Sequence, residues 1–277
     1  MKGERAPARW LLFPLALLFG SVLVSCVKLD FFLFDSDPAE LEDYDFTSEA
    51  LDGIDPERIT SELIEVGDSG ERIHVVFVSR DVTELDPRID PNDGVTILFS
   101  HGNRADLITY WYRAGYFEDM GFNVLFYDYR GYGASEGETT EDNTLRDVEA
   151  AYDYLRARDD VGVILSYGYS MGGGPAMHLC SPDGGRNVAA CITESAFAST
   201  ALVVESGTNF ELPGTWLLDV QYDNEALAGR IDIPFLLMHG DLDRRVGYEH
   251  AHVLWEQLRN RNPLNRFVTF WGAGHRN

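Results

Sequence analysis

Hydrophobic and polar residues alternate in two distinct rhythms along this chain. From Ile59 to Ser79 the rhythm is that of strands: Ser61–Val66 and Arg72–Ser79 alternate apolar and polar positions around Asp68-Ser69-Gly70, a hairpin turn. After a loop with two prolines (Asp86–Gly94), short and nearly all-apolar runs begin to alternate with longer stretches of helical period. Val95–Ser100, Asn123–Tyr127, Val161–Leu165, Val188–Thr193, Pro234–His239 and Arg266–Phe270 read as strands. Helices are expected around Tyr110–Met120, over Thr144–Arg158 (Val148, Ala151, Tyr152 and Leu155 on one face), from Ala176 to Cys180, and over Tyr248–Leu258. Strands that are apolar on both sides, separated by amphipathic helices, predict a mostly parallel sheet covered on both faces, with the early hairpin at one edge. No repeats and no second domain are seen in the pattern, and residues 59–277 are expected to form one α/β domain.

The first 58 residues break both rhythms. Lys2, Arg5 and Arg9 precede an apolar core from Trp10 to Val24, the pattern of a secretory signal peptide over residues 1–25. Leu23-Val24-Ser25-Cys26 is similar to the lipobox of bacterial lipoproteins, which implies cleavage before Cys26 and acyl chains that fasten the protein to a membrane without spanning it. The expected location is therefore extracytoplasmic, at the membrane surface; an uncleaved anchor helix and plain secretion are the other readings. Residues 26–58, rich in Asp, Glu and Ser, are expected to be a mostly solvated acidic tether, in which Phe31, Phe32, Leu33 and Phe34 are compatible with the lipid surface and with packing on the domain.

Charge narrows the partners. The 277 residues carry a formal net charge of −24, and such a surface is repelled by phosphate backbones, which argues against nucleic-acid binding. Of three cysteines, Cys26 belongs to the lipobox; Cys180 and Cys191 fall at a helix end and the start of the next strand, where a disulfide and two buried thiols are equally compatible with the pattern. There is no C-x-x-C pair, and His250 and His252 point to different sides of a helix, so no metal site is expected.

The candidate chemistry centres on Gly168-Tyr169-Ser170-Met171-Gly172, which joins a strand to a helix. The two glycines permit a tight turn that lifts the Ser170 hydroxyl to the rim of the sheet. A serine needs a base, a group that orients the base, and donors for the oxyanion, and these should lie in loops at the C-terminal ends of strands. Three loops qualify. Ser100-His101-Gly102-Asn103 offers the Asn103 N–H as one oxyanion donor, with the Met171 N–H as the second. His239 to Val246 holds the carboxylates Asp241 and Asp243, and Gly272-Ala273-Gly274-His275 offers an imidazole. His74, His178, His250 and His252 have no motif context, His101 is read as a brace for its loop, and the tyrosines are read as packing, with Tyr169 also placed to line the cleft.

These segments together resemble the α/β-hydrolase superfamily, most of all its small serine hydrolases without a large cap domain. The resemblance rests on His101-Gly102-Asn103, on Asp128 to Gly137 (D-Y-R-G-Y-G-A-S-E-G) and on Gly168 to Gly172, in that order, and spans about residues 60–277. It implies an α/β-hydrolase fold, no cofactor, and a nucleophile–acid–base order Ser170, Asp243, His275. Asp243 is favoured by its place in Gly240-x-x-Asp243-x-x-Val246; Asp241 and, less so, Glu194 are the rivals. The implied activity is cleavage of carboxylic esters or thioesters, on small acyl substrates or acylated proteins. A peptidase or amidase on the same three residues, or a silent surface-tethered binding protein, are the alternatives. Phe197, Leu212, Trp216 and Leu217 are expected to wall a pocket. Relatives usually continue past the base into a further helix, whereas this chain ends two residues after His275, which implies a less supported base loop.

Overall fold

The computed structural model describes residues 33–45, 54–80, 94–207 and 221–276. The signal peptide and Cys26, most of the proline loop, and Leu212, Trp216 and Leu217 lie outside these residues. The strands, in chain order, are β1 (Asp35–Ser36), β2 (Ile59–Glu65), β3 (Arg72–Val78), β4 (Thr96–Ser100), β5 (Arg104–Ala105), β6 (Asn123–Tyr127), β7 (Ile164–Tyr169), β8 (Ala190–Glu194), β9 (Phe235–Gly240) and β10 (Arg266–Phe270). The helices are α1 (Tyr112–Asp119), α2 (Glu141–Arg156), α3 (Gly173–Cys180), α4 (Thr200–Gly207), α5 (Asn224–Ala228) and α6 (Tyr248–Leu258).

Eight strands form one sheet in the order β10-β9-β8-β7-β4-β6-β3-β2. β3 runs antiparallel to both its neighbours, β2 and β6, and every other pairing is parallel. The alternation of the strands divides the core in two, because successive side chains leave a strand on opposite sides. Val75, Phe77, Leu98, Leu125 and Tyr127 join one layer, with Val148, Ala151 and Leu155 of α2, Met177 and Leu179 of α3, and Leu254 and Leu258 of α6. Val76, Val78, Ile97, Phe99, Val124 and Phe126 join the other, with Ala114 and Phe117 of α1. Among the described residues only the short helices α4 and α5 lie between β8 and β9, and no cap domain covers the sheet's rim.

Two expectations need correction. α2 starts three residues before the expected Thr144, because Thr140 caps it: its hydroxyl accepts the Asn143 N–H at 3.1 Å, with Glu141 and Asp142 in the first turn. That turn is polar and carries no apolar stripe, so periodicity alone starts too late. The second correction concerns the tether. Residues 33–45 lie along the domain: Leu33 and Phe34 pack against the larger core layer, and β1 pairs in parallel with β5. Asp35 N–H donates to the Asn103 carbonyl (3.0 Å), and Asp37 and Ala39 exchange backbone bonds with Gly133. These contacts are made by backbone, which an acidic composition does not disclose. Cys180 and Cys191 are both buried free thiols, so the disulfide alternative is not realised.

Candidate active site

The parallel strands of the sheet deliver their C-terminal ends to one rim, and three loops meet there. β7 ends at Tyr169, and Ser170 follows with φ +53°. A non-glycine residue in that region is strained, and here the strain is held by close packing on both sides. A Cβ at Gly168 would overlap the Gly172 carbonyl, and one at Gly172 would overlap the Ser100 carbonyl. Glycine is thus required at both positions by the approach of β7, the turn and β4. The turn runs into α3, with Met171 buried at its start.

β10 ends at Phe270, and the loop beyond it is fastened to the loop after β9. Leu242 N–H donates to the Ala273 carbonyl at 3.0 Å, and Asp241 Oδ1 accepts the Gly272 N–H at 2.5 Å. Asp241 therefore braces the loop that carries His275, and the carboxylate that meets the imidazole is Asp243. Asp243 divides its two oxygens: Oδ1 accepts the N–H groups of Arg245 (2.9 Å) and Val246 (3.0 Å), and Oδ2 faces His275 Nδ1 at 2.7 Å. His275 Nε2 lies 3.1 Å from Ser170 Oγ. Burial works against the charge of Asp243, but the hydrogen bond from His275 and those two N–H groups hold its carboxyl below the ordinary carboxylate range. Serine, imidazole and carboxylate thus form one hydrogen-bonded line built from residues 105 and 32 positions apart.

Asn103 sits across the rim after β4. Its carbonyl is occupied on the outside by Asp35 N–H and by the Tyr132 hydroxyl at 3.2 Å. Beneath this loop lies Asp128, fully buried, whose Oδ1 accepts the Leu107 N–H at 2.7 Å and lies 3.4 Å from His101 Nε2. Burial opposes its charge, yet His101 and His74 hold Asp128 below the usual carboxylate range. His101 supports the loop and does not approach Ser170 closely enough to displace His275 as its partner. Asp128 to Gly137 accordingly forms a wall that is buried at Asp128, Tyr129, Arg130 and Tyr132 and reaches the surface at Gly137, with Gly131, Gly133 and Gly137 all at positive φ.

Glu194 ends β8 beside the site and is engaged elsewhere. Its two oxygens accept Arg113 Nη1 at 2.6 Å and Nη2 at 2.9 Å, and the Tyr167 hydroxyl as well. Sequence reasoning missed Arg113. Its one signal was a cation on the buried face of α1, between Trp111, Ala114 and Phe117. It also missed the Tyr169 hydroxyl, which donates to the His275 carbonyl at 2.7 Å.

Residues 92–218 match a family model described as serine aminopeptidase, S33. An uncharacterised protein of Escherichia coli, YfhR, is 29% identical over 201 residues, a match covering 69% of this chain and 69% of YfhR. The human alpha/beta hydrolase domain-containing protein 17B is 34% identical over 213 residues, covering 74% of this chain and 66% of that protein. Among solved structures, the Pyrococcus furiosus esterase Pf2001 superposes with a TM-score of 0.66 at 17% identity, over 87% of this chain and 91% of the esterase.

Proposed function

We propose, from the premise that the chain belongs to the α/β-hydrolase superfamily, that it is a serine hydrolase cleaving carboxylic esters or thioesters through an acyl-enzyme. The observation that carries this reading is the unbroken line from Ser170 Oγ through His275 to Asp243. Ser170 attacks the carbonyl carbon while His275 Nε2 accepts its proton; Asp243 fixes the Nδ1–H tautomer and stabilises the imidazolium. The N–H groups of Asn103 and Met171 receive the oxyanion, the latter at the positive end of α3. His275 returns the proton to the leaving alcohol or thiol. Water, activated by the same imidazole, then releases the acid and restores Ser170.

An ester or thioester is favoured over a peptide with a free N-terminus by one contact. Such a peptide calls for an unpaired carboxylate near the serine, and Glu194 is already matched by the Arg113 fork. A fluorophosphonate probe tests the reading: wild type should be labelled and Ser170→Ala should not. An unlabelled wild type would favour the silent binding protein. A panel of p-nitrophenyl esters, acyl thioesters and aminoacyl amides then assigns the substrate class. The Leu23–Cys26 segment supports an extracytoplasmic lipoprotein. In that case Cys26→Ser shifts the protein from the membrane fraction to the soluble one.

A further inference from the structure

We propose that Tyr169 is the positioning residue for the base, and that the Arg113–Glu194 pair is its footing; this rests on the serine-hydrolase reading above. Asp243 and Ser170 each hold the imidazole by one bond along a single line, about which the ring could still turn, and the loop braced at Gly272 and Ala273 leaves His275 itself to be fixed. Tyr169 adds two further restraints. Its hydroxyl donates to the His275 backbone carbonyl at 2.7 Å, which fixes the residue at its main chain. Its ring lies 5.3 Å from the imidazole, centroid to centroid, which limits the side chain.

Tyr169 is itself wedged. The Arg113 guanidinium lies 4.5 Å from the centre of its ring, and the Tyr110 ring 5.8 Å away. Gly102 packs so close that a Cβ there would sit 3.1 Å from Tyr169 Cδ1. Arg113 is fixed in turn by both oxygens of Glu194, opposite Tyr169 in the β7–β8 register. A planar guanidinium with two bonds to a carboxylate is a rigid support, which a lysine could not reproduce. Burial, and next the nearby charge of Glu194, raise the Tyr169 hydroxyl well above its ordinary range, so it stays protonated and donates. Because Tyr169 is joined to Ser170 by one peptide bond, nucleophile and base share a single support.

The test compares wild type, Tyr169→Phe, Tyr169→Leu and Arg113→Lys in steady-state hydrolysis of p-nitrophenyl acetate, in the rate of fluorophosphonate labelling, and in thermal unfolding. Tyr169→Phe keeps the ring and loses only the hydroxyl bond. It should lower kcat and the labelling rate about tenfold, with KM within about twofold and the folded fraction unchanged. Tyr169→Leu, which also removes the ring, should lose about a hundredfold. Arg113→Lys should fall between wild type and Tyr169→Leu, again in kcat. A Tyr169→Phe protein that labels at the wild-type rate overturns the inference, as does a loss explained by unfolded protein. A wild type that does not label at all sinks the hydrolase reading instead, so the two failures are told apart.

Discussion

Glu194 and Arg113 close a two-bond fork at 2.6 and 2.9 Å beside the catalytic rim. Their arrangement separates two carboxylates that the sequence leaves as competitors. One charge, Glu194, is satisfied by a guanidinium and a phenol; the other, Asp243, has an oxygen left over for the imidazole. Burial works against the charge of Glu194, but Arg113 and then Tyr167 keep its carboxyl below the ordinary range.

Asp243→Asn and Glu194→Gln should therefore behave differently. The first removes the acceptor that sets the imidazole tautomer and should lower kcat about 10³- to 10⁴-fold with the fold intact. The second leaves Arg113 buried without its charge partner. It should cost about 3 kcal/mol or more of stability, with less than about a tenfold loss of kcat in the folded protein. Parallel kinetics and denaturant titration read both.

Gly172→Ala should fail at the level of folding. The new methyl meets the Ser100 backbone carbonyl, which cannot rotate away as a side chain would. A loss of about 3 kcal/mol or more is expected in the urea midpoint, or no soluble protein at all.

Asp35→Pro deletes the N–H that bonds the Asn103 carbonyl, together with an exposed ion pair from Asp35 Oδ2 to Arg104 Nε at 3.5 Å that contributes little. The oxyanion loop should loosen, kcat should fall several-fold, and stability should drop by about 1 kcal/mol. An unchanged kcat in steady-state assays would show that the segment is not coupled to the loop.

Acid should weaken the protein through Asp243, and the sign follows from the direction of its shift. A carboxyl held low in the folded state contributes stability that is full above its unfolded value, about 4, and is lost as pH falls through the folded value. Melting temperatures between pH 7 and pH 3 should hold and then fall, with a shallower acid limb in Asp243→Asn.

Cys180 and Cys191 should be silent toward a thiol reagent in the native protein. Cys191 is fully buried, and burial together with the neighbouring Cys180 raises its thiol well above the usual range, so it offers almost no thiolate. With Cys26→Ser in the background, two thiols should titrate after guanidinium denaturation and none before.

Much of this was legible in the sequence where apolar period and punctuation coincide. α6 and β10 fall on the expected residues, since Gly247 opens one and the turn after Leu258 separates the two. The three loops at the rim could be named because parallel sheets place strand ends together. What stayed hidden was pairing over distance. Arg113 and Glu194 lie 81 residues apart, and nothing local marks either as the other's partner. The hydroxyl of Tyr169 was likewise invisible, because a buried tyrosine reads the same whether or not it holds a neighbour's carbonyl. For residues 33–45 the sequence leaves Leu33 and Phe34 free to pack on the domain, as they do, but not the rest, because the acidic side chains point to water while the amides grip the domain.

That grip fixes where the N-terminal arm leaves the molecule. Asp35 and Ser36 pair with Arg104 and Ala105, the strand that follows Asn103, and the Asp35 N–H donates to the Asn103 carbonyl. The N-terminal described segment therefore joins the domain at the rim that carries Ser170 and not at its back. Any change in how residues 33–37 sit is thus felt first by the Asn103 carbonyl, before any other part of the rim.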